Sequence, residues 1–96
     1  MADSNRLQIY SEEEVDALGG IYVARCVGGV VRVGQIFTVE GISEFASPSP
    51  RYTLTKIERY GRFIDFFDPP HAAKVYLSAE SVSMLERGSI LSAVPE

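Results

Sequence analysis

Ile21-Tyr22-Val23-Ala24-Arg25-Cys26-Val27-Gly28-Gly29-Val30-Val31-Arg32-Val33-Gly34-Gln35-Ile36-Phe37-Thr38-Val39-Glu40 is the stretch on which the fold turns. It is built from β-branched and aromatic residues in short runs, and glycines punctuate it every few positions. Those residue types fit a pleated, half-buried surface and lose side-chain freedom in a helix. Read locally, Ile21–Val27 is a strand and Gly28-Gly29 is a two-residue hairpin turn, because both glycines can take positive φ. Val30–Val33 then returns, Gly34 interrupts, and 35–40 forms another strand.

The same grammar extends in both directions. Upstream, Leu7–Tyr10 is a short strand. Ser11-Glu12-Glu13-Glu14 has the spacing of a capping box, and Gly19-Gly20 follows as a stop, so 12–18 reads as one or two helical turns or as an irregular strand. Downstream, 41–50 holds Ser43, Ser47, Pro48, Ser49 and Pro50 and reads as a long loop. In Arg51–Glu58 Tyr52 and Leu54 share a face, and Ile57 breaks the phase, which predicts a bulge near Thr55 or Lys56. Tyr60-Gly61 is a turn. Phe63–Phe67 is a strand ended by Asp68-Pro69-Pro70, and at least two of Phe63, Phe66 and Phe67 are expected in the core. Ala73, Val75 and Leu77 face one way, with Lys74 and Tyr76 opposite. Ser81–Glu86 reads as a helical turn stopped by Gly88, and Ile90 and Leu91 close the last strand. The fold class is all-β: a small closed or partly open barrel of about six to eight antiparallel strands. The expected organisation is one domain over 1–96, disordered at 1–5. An open barrel edge would invite self-pairing.

Composition narrows the function. Ninety-six residues bury roughly 60–70% of the surface of the unfolded chain, enough for one core. One cysteine and one histidine exclude an internal disulfide and a multi-cysteine or multi-histidine metal site. No apolar run approaches the length of a spanning helix, and the N-terminus lacks the basic and apolar regions of a signal peptide. The expected setting is cytoplasmic. A net charge of −4 disfavours a grip on duplex DNA.

Machinery for catalysis is missing. There is no phosphate-cradling G-x-x-x-x-G-K-S/T loop and no G-x-S-x-G elbow. Cys26 lies mid-strand among apolar residues, the setting of a small buried hydrophobe rather than a nucleophile. His71 follows two prolines and reads as a solvated loop residue. Asp65 and Asp68 fall on opposite faces of a regular strand, the wrong geometry for a carboxylate pair. The expectation is a protein that is not an enzyme and takes no cofactor, no nucleotide triphosphate and no membrane.

Charge is uneven, however. Glu12, Glu13, Glu14 and Asp16 form an acidic patch. Arg51, Lys56, Arg59 and Arg62 place four of the nine basic residues in a twelve-residue window opposed only by Glu58. Such a strip suits one or two phosphates or an acidic partner, and is otherwise a solvated strand face with Glu58 paired to Lys56 or Arg51.

Three segments carry a more specific pattern: Arg25 with Gly29 and Val31-Arg32-Val33-Gly34-Gln35-Ile36; then Leu54-Thr55-Lys56-Ile57-Glu58; then Leu85-Glu86-Arg87-Gly88-Ser89-Ile90-Leu91. In order and spacing, over residues 20–93, they resemble domain 2 of the translational GTPases, the β-barrel that follows the GTP-binding domain in elongation factor Tu. The family shows G-R-x-x-x-G-x-x-x-V-G-D, T-x-I/V-E and E-R-G-x-V-L. Gln35 replaces the aspartate, Pro69-Pro70 stand where a glycine is usual, and an acidic 12–16 replaces an apolar strand. The resemblance implies a free-standing barrel without the GTP-binding domain. It also implies a binding module that contacts a protein or ribonucleoprotein through the 51–67 face. In elongation factor Tu the barrel helps hold the aminoacyl-adenosine end of transfer RNA, and Glu58 matches a glutamate of that pocket. Tyr60 and Gly61 fall at the next positions and Arg62 comes one residue late. The alternative implied role is binding of an RNA 3′ end through Glu58, Tyr60 and the neighbouring arginines.

Overall fold

The computed structural model describes residues 5–16, 19–40, 51–79 and 85–94. They form nine strands: β1 Arg6–Asp16, β2 Gly19–Gly28, β3 Val31–Arg32, β4 Ile36–Val39, β5 Arg51–Arg59, β6 Arg62–Ile64, β7 Phe66–Phe67, β8 Ala72–Ala79 and β9 Ile90–Ala93. Six of them close into an antiparallel ring in the order β4-β9-β1-β2-β8-β5, sealed by β4 against β5, with β6 added to β5. The seam is short: Ile36, Phe37 and Thr38 pair with Thr53, Tyr52 and Arg51. The barrel is closed, so an open edge does not arise between the ring strands.

Alternation fills the barrel. On β8, Ala73, Val75, Leu77 and Ala79 are buried while Lys74 and Ser78 are exposed. Leu7, Ile9, Tyr22, Ala24, Cys26, Phe37, Tyr52, Leu54, Ile57 and Leu91 supply the other walls. Each large apolar side chain removed from water contributes roughly 1.5–3 kcal/mol. The expected bulge lies at Thr55, where the β5–β8 register slips between Leu54 and Lys56, and it restores Ile57 to the interior. Three further slips bend β1 along β2.

Of the readings open for the acidic segment, the irregular strand holds: residues 12–16 continue β1, because they pair with Gly19–Tyr22; 17–18 lie outside the described residues. Other local expectations are overturned. Gly28-Gly29 do not make a hairpin. β2 is already paired on both edges, by β1 and β8, so β3 has no edge to return to. It pairs with β7 instead, placing Val31 and Phe67 in the core with Arg32 and Phe66 outside. Gly29 does take a positive φ, 60°, to redirect the chain. Asn5 is held rather than disordered: its side chain accepts from the Val30 N–H at 3.1 Å and its carbonyl from Ala93 at 2.8 Å. The 41–50 loop, residues 1–4 and most of the 81–86 turn lie outside the described residues. Leu85-Glu86 are not helical, and Arg87-Gly88 form a turn.

Candidate functional site

The β5–β6 hairpin and the outer face of β8 bring together most of the residues singled out from sequence. Tyr60-Gly61 is a two-residue turn with both φ positive, 52° and 76°, the geometry that matches strand twist in a tight hairpin. Tyr60 is 92% exposed at its tip. The Arg59 guanidinium lies 5.1 Å from the Tyr60 ring centroid and its Nη2 donates to the Tyr60 hydroxyl at 3.4 Å. Arg62 stands directly across the ladder from Arg59. Two like charges opposite one another are mutually unfavourable, and an anion between them relieves the repulsion.

Behind the turn, two cross-strand rows run over the outside of the barrel. In one, Phe63 pairs with Glu58, Glu58 with Lys74 and Lys74 with Val23. In the other, Lys56 pairs with Tyr76, Tyr76 with Ile21 and Ile21 with Glu14. The rows are tied together. The Tyr76 hydroxyl donates to Glu58 Oε1 at 2.8 Å. The Phe63 and Tyr76 rings meet edge to face, 5.9 Å between centroids at 64°. The Lys56 ammonium sits 5.2 Å from the Phe63 centroid and 5.9 Å from that of Tyr76. Accepting the bond from Tyr76 is the chief way Glu58 raises the Tyr76 pKa, with desolvation and the charges of Glu58 and Glu14 adding to it.

Glu58 therefore binds a tyrosine and is not paired with Lys56 or Arg51. Lys56 is drawn to the aromatic rings. Arg51 is apart from the site altogether, eight residues along β5, roughly 25 Å at the rise of a strand. The expectation that at least two of the three phenylalanines are core is corrected: Phe67 is 2% exposed, but Phe63 is 63% and Phe66 54% exposed. Asp65 interrupts the strand between β6 and β7. Tyr76 is the site residue missed in the sequence. Its outward phase on β8 was readable, but its partnership with Glu58 joins residues eighteen apart.

The other candidates fall elsewhere. Cys26 is fully buried, its thiol donating toward the Gly28 and Gly29 carbonyls at 3.4 and 3.5 Å. Burial pushes its pKa up. His71 is exposed, its Nδ1 3.1 Å from Asp68 Oδ1. Among the described residues no three of His, Cys, Asp or Glu converge as metal ligands, and no helix is long and apolar enough to cross a membrane.

No protein-family model matches the sequence, and none of the curated proteins compared with it matches. A solved structure does. The fold superposes on translation elongation factor SelB from Methanococcus maripaludis, apo form, with a TM-score of 0.74 at 13% identity. The match covers 93% of this chain and 18% of that one. The chain has the barrel fold of the translation factors. With so little identity the likeness lies in the backbone, and its span corresponds to one part of a much longer factor. Tyr60, Phe63 and the Arg59–Arg62 pair lie on the hairpin, next to the Tyr76–Glu58 bond.

Proposed function

We propose that this barrel is a non-catalytic binding module that engages a protein or ribonucleoprotein partner through the 51–67 face. The observation that carries this reading is the β5–β6 hairpin. It exposes two large aromatic rings, Tyr60 and Phe63, beside Lys56, Arg59 and Arg62. Aromatic and arginine side chains dominate binding energy where they are buried by a partner. An acidic group seated between Arg59 and Arg62 would relieve their mutual repulsion. The fold adds a translation-related context, in which ribosomal particles are the first partner to try. Co-sedimentation of the chain with purified ribosomal subunits tests this. Binding that is lost on Phe63→Ser and weakened by Arg59→Ser supports it; binding indifferent to both substitutions refutes it.

A second reading is direct capture of an RNA 3′ end. The Glu58 carboxylate keeps acceptor capacity beyond the bond from Tyr76, enough for a ribose hydroxyl, and Tyr60 offers a ring for a base to stack on. A backbone amide titration with a short RNA ending in aminoacylated CCA separates the two. Salt-sensitive shifts clustered on 56–62 support the RNA end, and a dispersed spectrum without shifts leaves the partner-protein reading alone.

A further inference from the structure

On the far side of Tyr76 from the hairpin, a groove of about 460 Å³ runs between the β1–β2 ladder and the β5 bulge. Val15, Ile21 and Leu77 give it apolar walls, Thr55 lies at the bulge, and Glu14 and Tyr76 border it. Its chemistry is opposite to that of the hairpin. Glu14 belongs to an exposed acidic strand with Glu12 and Glu13. Lys74 answers Glu13 at 3.5 Å, whereas Glu14 has no ion pair among the described residues. The row Lys56–Tyr76–Ile21–Glu14 thus passes from cation through aromatic and aliphatic side chains to a free carboxylate.

We propose that this groove receives an arginine or lysine side chain from a basic segment of a partner protein. The stem of such a side chain matches the apolar walls, and its charged head meets the Glu14 carboxylate and the Tyr76 ring. Lys56 shows that the ring attracts a cation: its ammonium already rests on the Tyr76–Phe63 pair from the hairpin side. A chain of net charge −4 attracts a basic segment, and the β1 carboxylates concentrate that attraction beside the groove. The same carboxylates repel phosphate, so a nucleic acid does not fit here. The groove shares Thr55 and Tyr76 with the neighbouring hairpin site, but occupying it does not depend on the 51–67 face binding anything.

The test is an amide titration of the full chain with an acetylated, amidated (Arg-Gly)3 peptide, with (Glu-Gly)3 as the control. The expected result is salt-sensitive shifts at Glu14, Ile21 and Tyr76 with the basic peptide and none with the acidic one. Glu14→Gln, an exposed near-isosteric change, weakens binding about 3-fold. Tyr76→Leu weakens it about tenfold and Tyr76→Phe leaves it nearly intact, since the ring face and not the hydroxyl holds the cation. Arg59→Ser leaves it unchanged, which separates this groove from the hairpin surface. Equal binding by Glu14→Gln and the parent chain overturns the proposal, because the peptide is then a diffuse counterion of β1. Equal shifts with the acidic peptide overturn it as well.

Discussion

The Tyr76 hydroxyl and the Glu58 carboxylate form a hydrogen bond of 2.8 Å between β8 and β5, on the outside of the barrel. The bond favours the neutral phenol, since deprotonation would set a phenolate against a carboxylate. The Tyr76 pKa is accordingly raised from its ordinary value near 10. A group whose pKa is higher folded than unfolded stabilises the fold below the unfolded pKa and loses that contribution as pH rises through the folded value. The expected loss therefore lies above pH 10, with neutral and acidic pH unaffected by this group. Phenolate absorbance should show a tyrosine that titrates late. Tyr76→Phe should delete that component, and Glu58→Gln should bring it down towards 10. A late component that persists in Tyr76→Phe would assign it to another tyrosine.

Cys26 is fully enclosed, and burial raises its pKa, so the nucleophilic thiolate is scarce as well as inaccessible. Alkylation of the native chain should be limited by unfolding. The rate should rise steeply with denaturant and match the unfolding rate measured by fluorescence or circular dichroism. Fast modification in native buffer, with the fold intact, would contradict the enclosed position.

How far the sequence predicts this architecture depends on the range of the interaction involved. The β8 alternation, the slip at Thr55 and the Tyr60-Gly61 turn are properties of neighbouring residues, and each is legible in a window of a few positions. The Gly28-Gly29 hairpin fails because local turn chemistry does not reveal that β2 is claimed on both sides, by partners as distant in sequence as Ser78 is from Gly19. Glu12–Asp16 reads equally well as a helix start, and only pairing with Gly19–Tyr22 decides for a strand. The site divides the same way. Arg59, Tyr60 and Arg62 are adjacent in sequence and share one hairpin, while Arg51 drops out because a strand carries it to the other end of the barrel. Tyr76 enters only through the β5–β8 register.

Phe37 occupies the seam that closes the ring. It is fully buried and stands opposite both Tyr52 on β5 and Ala93 on β9. β4 has only four residues to hold two neighbours, so a cavity there weakens closure as well as packing. Phe37→Ala should cost about 3–5 kcal/mol, the range for truncating a buried phenylalanine. That is a large share of the stability of a small domain. Thermal or urea unfolding measures it. A loss below about 1 kcal/mol would show that the seam does not hold the barrel shut.

The hairpin tip is less stable than its sequence could make it. Tyr60 adopts φ 52°, a left-handed conformation that costs a residue with a Cβ about 1–2 kcal/mol and suits Asn or Gly at this position of the turn. Arg59 and Arg62 face each other across the first rung, a like-charge pair costing up to about 1 kcal/mol. The hairpin requires neither a tyrosine at that φ nor the arginine pair, and the proposed partner of the 51–67 face would offset both costs by burying the ring and setting an anion between the arginines. Tyr60→Asn and Arg62→Thr should therefore each raise the melting temperature by a few degrees. The gain from Arg62→Thr should shrink with added salt, because exposed charges are screened. The same substitutions should weaken association with the partner of the 51–67 face, by about tenfold where a ring or an arginine anchor is lost. Stabilised variants that bind as well as the parent chain would mean that the strain and the repulsion have no part in recognition.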